Sequence, residues 1–393
     1  MKMNNSKQIF IIVCIVFLFF GIVKSINASS QRIGNPVVGN PPQSVKDRFI
    51  SESAEYDVEV WIKNLRIPWS LVFISEDKAL VSERAGQIRL IENGQLIEKP
   101  YKVIEEVAPI GEGGLMGLAK HPDFEKEKYI YVMYTYRSEG VIFNRVARYL
   151  DTGTTLEFDR LIIDKITGSR VHNGGRIAFG PDGMLYVCTG DIWQAEIAQD
   201  KDNLGGKILR LTPEGTIPED NPFPDSPVYS LGHRNPQGLA WHPETDALFS
   251  SEHGPSGEFG LFGRDIINVI VKGGNYGWPL VLGDANINPY RDPIIMWTSA
   301  TPPAGMAFWN SDLFVATLRS QALIRIKLTP SGNTYEATDI DRLFADDWYR
   351  GIYGRLRDAV VGPDGALYIL TSNHDGRGRA LKDDDKILRL TLK

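Results

Sequence analysis

A short unit recurs six times along the chain, and that repetition limits the folds open to it more than any single residue does. Each copy joins an apolar position, a polar turn and an alternating strand. The copies are Phe73-Ile-Ser-Glu-Asp-Lys-Ala-Leu-Val, Lys120-His-Pro-Asp-Phe with Tyr129-Ile-Tyr-Val, and Phe179-Gly-Pro-Asp-Gly-Met-Leu-Tyr-Val. They continue with Trp241-His-Pro-Glu-Thr-Asp-Ala-Leu-Phe, Phe308-Trp-Asn-Ser-Asp-Leu-Phe-Val and Val361-Gly-Pro-Asp-Gly-Ala-Leu-Tyr-Ile. Period-two alternation without long runs of 3.6 periodicity excludes a helical solenoid. Units about 45 to 65 residues apart each hold enough chain for a four-stranded sheet, so the expected fold is all-β, a six-bladed β-propeller. Several copies are followed by a basic, apolar strand: Gln87-Ile-Arg-Leu-Ile, Lys207-Ile-Leu-Arg-Leu, Leu323-Ile-Arg-Ile-Lys-Leu and Lys386-Ile-Leu-Arg-Leu. Closing the ring limits exposed sheet edges, and closure is expected to pair Tyr56 to Lys63 with Lys386 to Leu392.

The ends and the totals narrow the setting. Residues 1–28 read as an export signal, with Lys2 and Lys7 before an apolar run from Ile9 to Val23 and a cleavage region at Ser25-Ile26-Asn27-Ala28. The run is short for a membrane span of roughly 20 residues. A secreted or periplasmic protein is expected, with membrane contact only if the signal stays uncleaved. Cleavage after Ala28 removes Lys2, Lys7 and Lys24 and takes the formal net charge from -6 to -9. That balance leaves no basic stripe for nucleic acid. Residues 29–55, polar and rich in proline and glycine, read as a flexible linker before a propeller domain at 56–393. Of the two cysteines, Cys14 lies in the apolar run and Cys188 in a strand, so the mature chain has no internal disulfide and Cys188 reads as a small core residue.

The repeats also sort the histidines. His121-Pro122 and His242-Pro243 occupy the turn that Gly180-Pro181 and Gly362-Pro363 fill elsewhere, which gives them a turn role. His172 does not repeat. It opens a hairpin that runs from Val-His-Asn-Gly-Gly through Gly-Pro-Asp-Gly to Gly190-Asp191, where glycines permit close backbone approach to a ligand. A hydrogen-bonded loop histidine is the plainer alternative. Other unrepeated segments carry Arg234 and Asn235, Glu252-His-Gly-Pro, Asn268, Gly273-Gly-Asn-Tyr-Gly-Trp-Pro and Arg355-Leu-Arg-Asp, each at an end of a blade strand. Singly these are turns or solvated charges. Together they describe a cationic, glycine-lined cavity, and guanidinium groups that pair bidentately with carboxylates favour a small polyanionic ligand. No Gly-x-Ser-x-Gly, CxxC, phosphate loop or HExxH is present. Asp200 to Gly205 opens like an EF-hand loop, but Leu204 and Leu211 stand where ligands belong. Asp383-Asp-Asp385 reads as a solvated turn.

In six of these motifs the chain resembles the soluble glucose/sorbosone dehydrogenases that use pyrroloquinoline quinone, from Tyr56 to the C-terminus. The motifs are Gly111-Glu-Gly-Gly-Leu-Met-Gly, His172-Asn-Gly-Gly-Arg, Gly232-His-Arg-Asn-Pro-Gln-Gly, Glu252-His-Gly-Pro, Gly274-Asn-Tyr-Gly-Trp-Pro and Arg355-Leu-Arg-Asp. The resemblance implies a six-bladed propeller, in agreement with the repeat count. It implies that His172 is the general base, that Arg234 and Asn235 lie beside the quinone, and that Arg355 and Arg357 hold its carboxylates. Glu112 stands near the cofactor where the family usually has glutamine, and Arg319 where it commonly has lysine. The carbonyls of Gly254 and Pro255 match ligands of a calcium ion, which prefers such oxygens. The implied reaction oxidises the anomeric hydroxyl of an aldose to a lactone. Neutral His172 takes the hydroxyl proton, Arg234 and calcium polarise the quinone, and an external acceptor collects the electrons.

Some positions depart from the family pattern. Val171 stands where a polar residue often precedes the histidine. Asp265-Ile-Ile-Asn268 lacks the usual acidic second residue and follows an inserted-looking Glu258-Phe-Gly-Leu-Phe-Gly-Arg. Leu282, Asp284 and Asn286 match a second calcium loop only loosely, so no site is expected there. Two rival readings are a non-catalytic propeller that binds a protein or glycan, and a metal-dependent lactonase. The latter would need several carboxylate or amide ligands converging on the channel.

Overall fold

The structure, a computed structural model, describes residues 34–393; the expected export signal lies outside them. Six sheets follow one another in the order of the repeats. Blade 1 is built from Pro68–Phe73, Lys78–Glu83, Gln87–Glu92 and Gln95–Leu96, and blade 2 from Leu115–Lys120, Tyr129–Ser138, Val141–Asp151 and Leu156–Thr167. Blade 3 takes Ile177–Phe179, Leu185–Thr189, Lys207–Leu211 and Val228–Leu231, and blade 4 takes Pro236–Trp241, Leu248–Glu252, Asp265–Ile270 and Ile295–Trp297. Blade 5 uses Pro303–Trp309, Asp312–Thr317, Leu323–Ser331 and Thr334–Leu343; blade 6 uses Leu356–Val361, Leu367–Thr371, Ile387–Leu392 and Tyr56–Ile62. The last pairing closes the ring antiparallel, from Tyr56 opposite Leu392 to Ile62 opposite Ile387, as the sequence led one to expect. First strands of blades 4, 5, 6, 1, 2 and 3 pack side by side in that order around the axis.

The repeated unit marks the turn between the first and second strands of every blade, and packing explains why it repeats. Its leading aromatic meets an aromatic on the second strand of the preceding blade: Phe179 with Tyr131 (4.9 Å, 77°), Phe308 with Phe249 (5.2 Å, 75°), and Phe73 with Tyr368 (4.8 Å, 60°). Trp241 and Tyr186 do the same at 5.3 Å. Edge-to-face contacts of this kind add to the burial that seals neighbouring sheets. Phe249, Ile267 and Trp297 of blade 4, for example, pack against Leu313, Val315 and Ile324 of blade 5. Each fully buried side chain of that size contributes on the order of 1.5–3 kcal/mol. Cys188 is fully buried in blade 3, in keeping with a core role.

Two expectations are corrected. Of the supposed linker, Val37–Val38 pairs in parallel with Val281–Leu282, and Asp47–Ile50 adds a fifth strand to blade 5, Asp47 opposite Ile340. Asp47 accepts from the buried Arg342 guanidinium and from Trp297 Nε1. Polar composition suggested a tether, but the open edge of Thr334–Leu343 supplies backbone partners that composition cannot reveal. Asp383-Asp-Asp385 is not simply a solvated turn either. Asp385 is fully buried and accepts N–H groups from Ile67 and His374, while Asp384 pairs with Lys386 at 2.9 Å. Donors from distant backbone replace water there. Among the described residues no helix is long and apolar enough to cross a membrane.

Candidate active site in the propeller channel

Segments that lead into the first strands, or leave the second strands, gather at the end of the channel opposite the repeated turns. They enclose a cavity of about 500 Å³ lined by Glu112, His172, Arg234, Gly254, Pro255, Arg319 and Arg355, within the range of small-molecule sites. A deeper chamber of about 210 Å³ shares Glu112, His253, Arg355 and Arg377 with it and adds Arg84, Gln237 and Arg357. Below, Arg176 of blade 3 pairs with Asp358 of blade 6 at 2.9 Å, joining opposite blades across the axis.

His172 is buried with a left-handed backbone, φ 53°. The turn around it depends on glycine. A Cβ on Gly174 would lie 2.4 Å from the Cys188 carbonyl oxygen, and one on Gly190 would lie 2.0 Å from that of His172. Nδ1 of the ring lies 2.7 Å from Asp191 Oδ1, and Nε2 lies 3.0 Å from Arg234 Nη2. A guanidinium can only donate, so Nε2 carries the lone pair, and Nδ1 carries the proton and donates it to Asp191. Asp191 is itself anchored: Trp278 Nε1 donates to its second oxygen at 2.7 Å, and the Trp193 N–H donates to its first at 2.9 Å. The Trp193 ring stacks parallel to the imidazole at 5.3 Å and 4°, and is 53% exposed toward solvent.

The guanidinium groups are held differently. Arg234, buried, contacts Glu258 through Nε (2.8 Å) and Nη2 (2.6 Å) and donates from Nη1 to the His253 carbonyl (3.1 Å). Arg355 pairs with Asp375 at 2.8 Å, and Arg377 with Glu112 at 2.7 Å. Glu112 also accepts the His172 N–H at 3.1 Å. Burial opposes its ionisation, but Arg377 foremost, then the His172 ring and N–H, outweigh burial and bring its pKa to about 2. Among the described residues Arg357 makes no ion pair. It donates to Gln237 Oε1 at 2.7 Å and leaves a buried Nε unpartnered, and burial lowers its pKa to about 10 against the pull of Asp375. His253 Nε2 is likewise buried and unpartnered, and burial pushes that imidazole down to about 3.

The structure thus gathers His172, Glu112, Arg234, Arg355, Gly254 and Pro255 around one cavity, with Arg357 in the chamber beneath. Asn235 is fully buried behind it, its side-chain Oδ1 accepting the Gly174 N–H at 3.0 Å. Arg319 stands exposed on the rim with its guanidinium 5.1 Å from the Tyr349 ring. The Gly254 N–H donates to Asp265 Oδ1 at 2.9 Å, and burial raises the Asp265 carboxyl to about 6. Among the described residues no three His, Cys, Asp or Glu side chains converge as a metal cluster. His233, another unrepeated histidine, bridges Ser230 and Glu252, and Glu252 accepts the Arg234 backbone N–H. Sequence reading missed the roles of Arg84, Asp191, Trp193, Gln237, Glu258, Asp375 and Arg377. Asp191 ends the very hairpin that His172 opens. Asp375 and Arg377 lie in an unrepeated glycine-rich loop after a second strand, the criterion that found Glu252-His-Gly-Pro.

Fold and site define a propeller that sets one oriented imidazole at the head of an arginine-walled axial cavity fit for a small anionic ligand. Residues 65–388 match the profile of the family described as glucose/sorbosone dehydrogenase, and the chain belongs to that family. Aldose sugar dehydrogenase YliI of Escherichia coli is 33% identical over 364 residues, covering 82% of this chain and 92% of that protein. Quinoprotein glucose dehydrogenase B of Acinetobacter calcoaceticus is 29% identical over 445 residues, covering 86% and 89%. The PQQ-bound form of aldose sugar dehydrogenase from Streptomyces coelicolor superposes with a TM-score of 0.75 at 37% identity, covering 87% of this chain and 99% of that structure.

Proposed function

We propose that this chain is an exported aldose dehydrogenase that uses pyrroloquinoline quinone and calcium, oxidises the anomeric C1 hydroxyl to a lactone and delivers electrons to an external acceptor. The observation that carries the reading is His172, held between Asp191 Oδ1 and Arg234 Nη2, lining a cavity that continues into the chamber of Arg357, a buried cation with no ion-pair partner among the described residues. Orphaned polar atoms on Arg357 and His253 fit a ligand rich in anionic oxygens.

Arg355 and Arg357 would hold the quinone's carboxylates, with Glu112, Asn235 and Arg319 around it, and the carbonyls of Gly254 and Pro255 would take the calcium. Bound there, the quinone supplies the two-electron acceptor that no side chain can provide. The chain's own work is proton transfer. The lone pair of His172 Nε2, given up by Arg234 as substrate binds, would receive the C1 hydroxyl proton, while Asp191 holds the ring in the competent tautomer and stabilises the imidazolium that forms. Trp193 covers one face of the imidazole and leaves its own outer face as a wall for the sugar.

The test adds pyrroloquinoline quinone and calcium to purified apoprotein and follows aldose-dependent reduction of a dye. Dye reduction that His172→Ala abolishes supports the reading. Tight quinone binding without turnover would favour a binding propeller, and lactone cleavage that needs metal but not quinone would favour a lactonase.

A further inference from the structure

Among the described residues the Arg234 guanidinium makes three hydrogen bonds, and its charge is balanced by one residue, Glu258. Glu258 lies on the loop that leaves blade 4 after Glu252 and returns at Asp265, the stretch that looks inserted in the sequence. Its side chain is 8% exposed and points inward, and its second oxygen accepts the Ser256 N–H at 2.7 Å. The loop is folded tightly to achieve this. The Gly257 N–H donates to the Leu261 carbonyl at 2.9 Å, and Gly257, Phe259, Gly260 and Gly263 all have positive φ. A phenylalanine at φ 54° is strained, and such strain persists where surrounding contacts enforce it.

Phe259 packs edge-on to Trp278, at 5.9 Å and 70°. Trp278 in turn donates to Asp191. Two consecutive residues of one loop therefore brace both nitrogens of the base: Glu258 through Arg234 on Nε2, and Phe259 through Trp278 and Asp191 on Nδ1. Without the Glu258 carboxylate, Arg234 would be a bare buried cation, drawn to any anion in the cavity, including a bound ligand's. With it, Arg234 is satisfied along one edge and presents only the other to the reacting centre.

We propose that Glu258 is a positioning residue that holds Arg234 beside the lone-pair nitrogen of His172, close enough to orient the ring and free to yield that lone pair to substrate, leaving ligand carboxylates to Arg355 and Arg357. The kinetic arm of the test rests on the dehydrogenase reading above; the spectroscopic arm does not. In the full chain without quinone, ¹⁵N NMR of histidine, with His172 assigned by its loss in His172→Ala, should show Nε2 as an unprotonated acceptor. Glu258→Ala should move that resonance, and Glu258→Gln, which keeps an acceptor oxygen but no charge, should move it less. In the holoenzyme both variants should lower kcat about tenfold while KM for the aldose stays within about twofold. In an Arg234→Gln background, Glu258→Gln should lower kcat no further, because the two residues act as one unit. An unmoved Nε2 resonance in Glu258→Ala, or losses that multiply in the double variant, would overturn the proposal. Should Glu258→Ala fail to fold, Glu258→Gln decides on the same terms. A wild-type protein inactive on aldoses would sink the dehydrogenase reading and leave the resonance to judge Glu258.

Discussion

At the turn end of the propeller, His121 and His242 each accept an N–H at 3.2 Å from a residue two positions along the chain, Asp123 and Glu244. At the loop end, His172 takes its partners from 19 and 62 residues away, Asp191 and Arg234. The side chain is the same, but one end uses it to finish a turn and the other to hold a lone pair in place. Local partners make a histidine structural and repeatable. A partner drawn from the next blade, Arg234, makes it singular, because only the packing of blade 4 against blade 3 brings the two together.

The largest effect that separates the two ends is catalytic. His172→Ala should remove roughly 10²–10⁴-fold of the kcat for aldose oxidation, with quinone binding little changed and a stability loss of about 1–3 kcal/mol from the buried partners left unpaired. His121→Ala should leave kcat intact and cost about 1 kcal/mol in denaturant unfolding, the worth of one hydrogen bond. Comparable losses of kcat in both variants would erase the distinction. Asp191→Asn should follow, lowering kcat on the order of 10²-fold because an amide no longer enforces the Nδ1–H tautomer; wild-type turnover in that variant would contradict the assigned tautomer.

Backbone substitutions sharpen the same contrast. Gly190→Ala puts a methyl against the His172 carbonyl, so both activity and stability should fall, the latter by about 1–3 kcal/mol. Gly183, at the turn end of the same hairpin, has φ 73° and nothing within 4 Å of a built Cβ. Its alanine variant should cost only ~1 kcal/mol, for the left-handed backbone, and keep full activity. Glu112 gives the smallest and most pH-dependent effect. Its folded pKa of about 2 lies below the ordinary 4.5, so its stabilisation is fully present above pH 4.5 and is lost as pH falls through 2. Glu112→Gln should therefore flatten the acid-unfolding profile across that window, and an unchanged slope would refute the ion pair with Arg377.

What could be read from the sequence follows the same division. Blade number, ring closure and the turn role of His121 and His242 rest on alternation and repetition within a few residues, and the structure bears them out. His172, Arg234 and Arg355 emerged because they interrupt the repeat. Glu258, Asp375 and Trp193 did not, since nothing local says which distant guanidinium or ring each one meets. The same blindness produced the errors at 37–50 and 383–385, where polar residues looked solvated because their backbone partners lie elsewhere in the chain.

The account depends on one imidazole and a set of guanidinium groups acting on a single bound redox ligand. Single-turnover absorbance measures this most directly: calcium-loaded protein is titrated with pyrroloquinoline quinone, then mixed with an aldose. One quinone bound per chain, reduced promptly in the wild type and bound but still oxidised in His172→Ala, is the expected result. No stoichiometric binding, or equal reduction in both proteins, would contradict the account.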